Sequence, residues 1–587
     1  MSLLETLQNH PAARMRIALA QLNPTVGDLE GNTDRILRAL EESREAGAQV
    51  ALFPELCITG YPPEDLLLRP SFLKQNLACL RRIEQATRDM IAIVGVVDVR
   101  EDIYNAAAVL VDGAVAGVHH KFFLPNYGVF DEERYFQRGR RHSVYRFGPL
   151  VFGVTICEDM WYPRGPAHTL ANVGGAHVIF NLNASPFHAE KWRQREQMLS
   201  VRASDSACFV AWTNQVGGQD ELVFDGHSMV LSPDGEVIAR ASTFEEDLLI
   251  HDLDLSAVTH ARLADPRRRK EKQALVATGV AVEEVVLALQ PRWSLDRRGP
   301  TMTEPPGRLA EIYRALVVGT RDYVNKSGFS GVVIGISGGI DSALVAAVAA
   351  DALGPERVTL VSMPSVFSSA ETRSDAARVA DLLGTRFLEI PIRELQETWA
   401  RTLDGVFAGT ERGVAEENLQ ARCRGNILMA LSNKFGSMVL TTGNKSEMAC
   451  GYATLYGDMA GGYAVIKDVP KTLVYELCDW RNSQGEAIPR SIIDRPPTAE
   501  LRPNQKDTDS LPPYEVLDPI IHAYVEEDRS LDEMIALGFD PGISRRVILM
   551  INRNEYKRRQ APPGVKITPK AFGRDRRLPI VNRFNDL

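Results

Sequence analysis

Val332-Val333-Ile334, followed closely by Ser337-Gly338-Gly339-Ile340-Asp341-Ser342, is the stretch on which the reading of this chain turns. Consecutive β-branched residues read as a buried strand. Two adjacent glycines then let the backbone turn tightly and approach a ligand where a Cβ would clash. Ala343 to Asp351 reads as a helix whose free N-terminal N–H groups and positive dipole end face the glycines, so the segment builds a cradle for a polyphosphate. Ser337 and Ser342 add hydroxyl donors, and Asp341 offers a carboxylate to the magnesium ion that accompanies ATP. No Gly-Lys-Ser/Thr follows, which separates the loop from the Walker type.

Around this loop, strands at Val332 to Ile336, Val358 to Met363, Phe387 to Ile390 and Met438 to Thr442 alternate with helices, the first an amphipathic one containing Leu309, Ile312, Tyr313, Leu316, Val317, Tyr323 and Val324. That order predicts an α/β domain with a doubly wound parallel sheet and its ligand site beyond the carboxyl ends of the strands. Upstream, short apolar runs at Arg16 to Ala20, Val50 to Phe53, Ile91 to Val97, Ala106 to Val111, Val151 to Ile156 and Val178 to Leu182 predict a second α/β domain with a mixed sheet. Charge and Pro/Gly content place the boundaries at 1–265, a linker at 266–305, and 306–587. Asp404 to Glu417, rich in glycine and charge, reads as a mobile loop.

The bulk numbers exclude several classes. A chain of 587 residues is too long for one core. Its 67 Lys and Arg against 76 Asp and Glu, a net charge of -9, disfavour nucleic acid as the main partner. Seven scattered cysteines without a Cys-x-x-Cys pair argue for reduced thiols rather than disulfides or zinc. Met1 to Ala20 lacks a signal-peptide pattern, and no window approaches a membrane-spanning run, so a cytoplasmic protein without membrane partners is expected.

Two further sets of residues carry chemistry. Thr441-Thr442-Gly443-Asn444-Lys445-Ser446-Glu447 follows a strand, which brings Thr442 and Glu447 to the rim of the phosphate loop. Glu447 is then either a second magnesium carboxylate beside Asp341 or a first-turn helix glutamate. In the upstream half, Glu55, Lys121 and Cys157 stand at or beside strand ends. A thiolate attacks a carboxamide carbon, a carboxylate takes the thiol proton, and a cationic amine stabilises the oxyanion, which together release ammonia from glutamine.

These motifs, in this order, resemble those of the glutamine-dependent NAD synthetase family. In the second half the resemblance rests on Ser337 to Ser342, Met363-Pro364-Ser365, Asn418, Thr442 to Glu447, Gly451 to Asp458, Lys471 and Arg495 to Leu501. In the first half it rests on Phe53-Pro54-Glu55-Leu56, Lys121 to Tyr127 and Ile156-Cys157-Glu158-Asp159, the triad contexts of the nitrilase superfamily. The Ser-Gly-Gly-x-Asp-Ser pattern also resembles the pyrophosphatase loop of the ATP pyrophosphatase superfamily, whose members adenylate a substrate and release pyrophosphate, so the resemblance implies a nitrilase-like α-β-β-α sandwich joined to a doubly wound ATP pyrophosphatase domain. Glu55 would be general base, Lys121 oxyanion partner and Cys157 nucleophile, with Tyr127, Ser185 and Lys191 positioning L-glutamine. Either Glu132 or Glu133 would be an additional acid. Gly335, Ile336, Ser337, Gly338, Gly339, Ile340, Asp341, Ser342 and Thr442 would contact ATP, and Asp341 and Glu447 would hold Mg²⁺. Asn418, Glu447, Asp458 and Lys557 would lie against deamido-NAD, and Lys471 and Thr498 would also reach the nucleotides. The implied reaction is ATP-dependent amidation of deamido-NAD through an adenylate, with ammonia crossing the protein interior in a homo-oligomer, an octamer by family likeness. Rival readings are an adenylating amidotransferase with another acceptor and a non-catalytic nucleotide or glutamine sensor.

Overall fold

Strand sequences in the first half alternate large and small apolar residues, and this alternation builds a two-sheet core. In the computed structural model, which describes residues 14–292, 299, 301–498, 500–502 and 505–584, the chain divides into two units. One runs to Gln219 and resumes over Phe224–Pro306; the other comprises Asp220–Val223 and everything from Gly307.

The first unit contains β1 (Arg14–Gln21), β2 (Val50–Leu52), β3 (Ile91–Val99), β4 (Ile103–Val111), β5 (Ala114–His120), β6 (His142–Phe147), β7 (Leu150–Ile156), β8 (Val178–Asn183) and β9 (Phe209–Asn214). There follow β10 (Val216–Gln219), β11 (Leu222–Asp225), β12 (Met229–Leu231), β13 (Val237–Arg240), β14 (Asp247–Asp254) and β15 (Val282–Val286). One sheet has the order β14-β1-β2-β3-β4-β5 and the other β13-β12-β9-β8-β7-β6-β15, while β10 and β11 form a separate ribbon. Both large sheets are mixed: β1, β2 and β3 run parallel, as do β7, β8 and β9, with antiparallel neighbours outside them. Inward-facing Ile17, Leu19, Leu52, Ile93 and Val109 meet Phe152, Val154, Phe180, Leu182 and Ala211 in one buried core. The opposite face of the second sheet is covered by helices Pro166–Asn172 and Lys191–Ser206 through Leu170, Leu199 and Ala203 against Val151, Val210 and Trp212. Helices Leu29–Glu45 and Pro70–Ala86 pack together, the latter against β3, completing the expected α-β-β-α layering.

The second unit is built on β16 (Gly331–Gly335), β17 (Val358–Ser362), β18 (Arg386–Glu389), β19 (Ser437–Thr441) and β20 (Tyr463–Ala464), all parallel in the order β18-β17-β16-β19-β20. The chain leaves β16 toward β17 and β18, then returns to lay β19 on the other side of β16. The switch point therefore lies between β16 and β19, where a doubly wound sheet opens a ligand crevice. Val333, Val361 and Val439 pack under Leu428 of helix Val414–Phe435, and helix Ile340–Leu353 packs on β16 and β17. A satellite helical core of Leu517, Ile520, Ile548 and Ile551 closes around Ala449 and Cys450.

Two expectations differ from the structure. Residues 266–305 are not only a connection: helix Arg267–Ala277 and β15 belong to the first unit, and β15 pairs in parallel with the edge strand β6. The apolar positions Val282 and Val285 were hidden among glutamates in a short strand, a weak periodic signal. Part of the Pro/Gly-rich stretch, residues 293–298 and 300, lies outside the described residues. Within Asp404 to Glu417 only residues 408–413 form a loop: Asp404 lies in the last turn of helix Arg393–Phe407, and Glu416 and Glu417 lie in the first turn of helix Val414–Phe435. Of the charges read as loop polarity, Glu411 and Arg412 fall in that connection and the other three are helical. All seven cysteines are free and buried.

Lys445, inside the Thr441 to Glu447 motif, is wholly buried and supports the second unit rather than a ligand. Its ammonium lies 2.9 Å from Asp468 and 2.7 Å from Glu526, and donates to the Thr568 hydroxyl at 2.7 Å. Lys445→Met would leave two buried carboxylates without their cation and lower the stability of this unit by about 3–5 kcal/mol. The expected reading is an earlier denaturant midpoint for its unfolding; an unchanged midpoint would remove the cluster from the supports of the fold.

Candidate active sites

Every strand that carries a reactive residue in the first unit ends at the same rim. Glu55 follows β2, Lys121 follows β5 and Cys157 follows β7 as the first residue of a short 3₁₀ turn. The loop bearing Glu55 lies hard against β3, where a Cβ on Gly95 would stand 2.2 Å from the Pro54 carbonyl oxygen. Cys157 has φ +41°, a left-handed conformation that costs a residue with a Cβ and marks a turn held by its surroundings.

Lys121 is wholly buried, with its ammonium 2.6 Å from Glu55 and 2.7 Å from Glu132. Asn105 donates to both carboxylates, the Tyr61 hydroxyl donates to Glu132 at 2.8 Å, and the Ala184 N–H donates to Glu55 at 3.0 Å. Of the two glutamates Glu132 is the one that lies beside the lysine, while Glu133 is exposed and pairs with Arg138. Burial alone would pull the Lys121 ammonium toward neutrality, but Glu132 and Glu55 outweigh it and push its pKa up. Burial, with the charge of Glu55 on the raised side of the balance, lifts Glu132 to about 7 despite Lys121. Burial and then Glu55 drive the Cys157 thiol well above its ordinary value, against the pull of Lys121. The resting thiol is therefore protonated and needs a base to become a nucleophile.

The residues expected to position glutamine frame this centre. The Tyr127 hydroxyl donates to Glu158, next to the thiol, at 3.0 Å. Ser185 follows the Ala184 N–H that binds Glu55, and Lys191 donates to the Pro186 carbonyl at 2.7 Å. Their shared support is Arg195, buried against Trp212, which pairs with Asp225 at 2.8 Å and donates to the carbonyls of Ser185 and Pro186. Asn105, Tyr61, Glu158, Asp159 and Arg195 carried no assignment from the sequence. Only the acidic pair directly after Cys157 gave any signal.

In the second unit a cavity of about 300 Å³ opens at the switch point, lined by Gly335 to Ser342, Thr442, Glu447, Asp458, Lys471 and Thr498. Gly338 has φ +78°, and a Cβ there would lie 2.2 Å from the Thr372 carbonyl oxygen, so glycine is required on both counts. The serine hydroxyls also shape the loop itself: Ser342 Oγ donates to the Gly339 carbonyl at 2.9 Å and lies 3.1 Å from Ser337 Oγ. Asp341 is held between the Lys471 ammonium and the Asn444 amide at 3.0 Å. Glu447 closes a capping box with Asn444, which is the first-turn role, and its carboxylate also lines the cavity. Burial and then the charge of Asp341 raise the Glu447 pKa well above the carboxylate range, with Lys471 opposing. Burial pulls Lys471 down, but Asp341 and Glu447 outweigh it and keep it charged.

Two carboxylates that repel each other beside a phosphate cradle are a donor set suited to Mg²⁺, which takes one or two protein carboxylates and completes its shell with phosphates and water. Among the described residues no group of three or more metal-ligating side chains is present. Asn418 and Lys557 do not line the cavity. They brace the segment that does: Asn418 accepts from the Thr454 hydroxyl at 2.8 Å, and Lys557 donates to the carbonyls of Gly451 and Ala453. Thr498 accepts from the Glu500 N–H, and Arg495 reaches the Gly338 carbonyl at 3.0 Å; Ala499 lies outside the described residues. Arg424 and Arg373 also line the cavity and were not singled out from the sequence. Nearer the C-terminus, Arg558 and Arg576 are structural, converging on Glu555 at 2.9 and 3.0 Å.

Comparison with known proteins agrees with this division. Residues 16–263 match the carbon-nitrogen hydrolase family and residues 312–561 the NAD synthase family. A glutamine-dependent NAD(+) synthetase of Thermotoga maritima is 52% identical over 98% of this chain and 99% of its own, and one of Aquifex aeolicus is 48% identical over 97% and 100%. The solved glutamine-dependent NAD+ synthetase of Acinetobacter baumannii, in complex with ADP, is 42% identical with a TM-score of 0.72, covering 97% of this chain and 99% of that one. By identity sustained across both units, the chain belongs to the glutamine-dependent NAD(+) synthetase family.

Proposed function

We propose that this chain amidates deamido-NAD to NAD, with ammonia taken from L-glutamine and ATP cleaved to AMP and pyrophosphate. The observation that carries the reading is that one chain presents both required centres intact: a buried carboxylate–ammonium–thiol cluster and a glycine cradle flanked by two carboxylates.

At the first centre Glu55 takes the Cys157 proton and the thiolate adds to the side-chain carbonyl carbon of glutamine. Lys121, kept cationic by its two carboxylate neighbours, stabilises the oxyanion. As the tetrahedral adduct collapses, the C–N bond breaks, the proton returns to nitrogen and ammonia leaves a thioester. Water then attacks with Glu55 as base, releasing glutamate and restoring the thiol. Tyr127, Ser185 and Lys191 orient the substrate.

At the second centre the backbone N–H groups from Gly338 onward and the N-terminus of helix Ile340–Leu353 hold the triphosphate. A nicotinate carboxylate oxygen attacks the α-phosphorus, pyrophosphate departs, and an acyl adenylate results. Mg²⁺, held by Asp341 and Glu447, would supply charge neutralisation for the leaving pyrophosphate. Lys471 balances the carboxylate pair, while Thr442 and Thr498 contact the nucleotides and Asp458 the dinucleotide, with Asn418 and Lys557 steadying the segment that presents it. Ammonia attacks the acyl carbon and AMP leaves. In this reading the protein is a cytoplasmic homo-octamer; no described helix is long and apolar enough to cross a membrane.

The decisive experiment uses deamido-NAD as acceptor and compares glutamine with an ammonium salt as nitrogen source. Cys157→Ala is expected to lower glutamine-driven synthesis by at least about 10³-fold while ammonia-driven synthesis continues; loss of both would contradict separable centres. Asp341→Ala is expected to lower both by at least about 10²-fold, and normal ammonia-driven turnover would dismiss its role. Glu132 gives a pH signature. The folded protein retains the proton to about 7 whereas the ordinary value is 4.5, so between those values the native state binds the extra proton. Its contribution to stability is present below that window and falls as pH rises through it. Denaturant midpoints of Glu132→Gln measured across pH 4–8 should therefore gain on the parent's toward the alkaline end, and parallel curves would refute the assignment.

A further inference from the structure

Among the buried side chains that the mechanism leaves unused, Asp159 has the most organised surroundings. It is fully buried, two residues beyond the nucleophile. Its Oδ2 accepts the Ile156 N–H at 3.0 Å and lies 3.2 Å from His119 Nε2. Its Oδ1 accepts the N–H groups of Phe122 and Phe123 at 3.0 and 3.1 Å. Ile156 directly precedes Cys157, and His119, Phe122 and Phe123 flank Lys121. One carboxylate thus joins the turn of the thiol to the segment of the amine, although these lie on different sheets. The His119 ring stacks on Phe122, which stacks in turn on His142 at 4.5 Å, so the lysine segment is clamped on its side-chain face as well. At the thiol end, the same carboxylate braces a residue whose φ of +41° would otherwise relax.

We propose that Asp159 is a positioning residue that fixes the separation of the Cys157 sulfur from the Lys121 ammonium. It touches backbone and imidazole, not the reacting atoms. Losing it would let the two segments drift independently, and displacement on the scale of 1 Å in such a centre costs about 10²-fold in rate. The inference rests on the reading of Cys157 and Lys121 as the glutamine-hydrolysing pair.

The test is made on full-length Asp159→Ala and Asp159→Asn, with kcat and KM for glutamine and ammonia-driven synthesis measured in each, beside Cys157→Ala. Asp159→Ala is expected to lower the glutamine kcat by about 10²-fold with KM for glutamine and ammonia-driven synthesis unchanged. Asp159→Asn, which keeps one acceptor oxygen but cannot accept from both segments, should fall between the two. An unchanged kcat, a change confined to KM, or equal loss of both activities would each overturn the proposal, the last marking Asp159 as a general support of the fold. Should the alanine variant fail to fold, the asparagine variant decides on the same criteria. Persistence of glutamine-driven synthesis in Cys157→Ala would instead overturn the underlying reading.

Discussion

An ammonium group withdrawn from water must find carboxylates within hydrogen-bond reach, and this requirement organises both centres and the fold between their elements. Lys121 lies between Glu55 and Glu132, Lys471 against Asp341 and Glu447, and Lys445 between Asp468 and Glu526. Each lysine is buried, so none can relax toward solvent. Desolvation on its own would neutralise them, yet in all three the neighbouring carboxylates win and the ammonium stays charged. The same pairing is support in one place and reactivity in the other two. What differs is whether a reactive group or a ligand crevice adjoins it.

At the first centre the balance leaves a protonated thiol next to a carboxylate and a permanent cation. In the proposed reaction this charge arrangement precedes the substrate, so no reorganisation is needed when an oxyanion forms. At the second, Asp341 and Glu447 repel one another and are only partly compensated by Lys471. The two centres share an architectural address, the carboxyl ends of parallel strands, where chain direction changes and side chains from several loops converge.

Much of this was legible along the chain. Short apolar runs located β2, β7, β16 and β19, and the residues after them supplied Glu55, Cys157, Ser337 to Ser342 and Thr442. Short-range rules failed where the signal was diluted. β15 carries two adjacent exposed glutamates, Glu283 and Glu284, which break the apolar alternation of a strand, and it pairs with the edge of β6. Asp404 to Glu417 looked like loop because its glycines and charges fall across the end of one helix and the start of the next, neither of which buries a residue there. Asn418 and Lys557 were read as ligand contacts, but they reach the site through backbone carbonyls and a threonine hydroxyl of the segment between Gly451 and Asp458.

By itself the amino-acid sequence determined the strand and turn chemistry: where the backbone must adopt φ values open to glycine, which residues follow each strand, and hence which groups could react. Tertiary structure alone put Glu132 rather than Glu133 beside Lys121, placed Asn105 and Tyr61 on the carboxylates, and made Asp159 a bridge between segments from two sheets. The reason is that burial and pairing depend on residues far apart in the chain. A glutamate's pKa is set by which neighbours exclude water from it, and no local pattern records that.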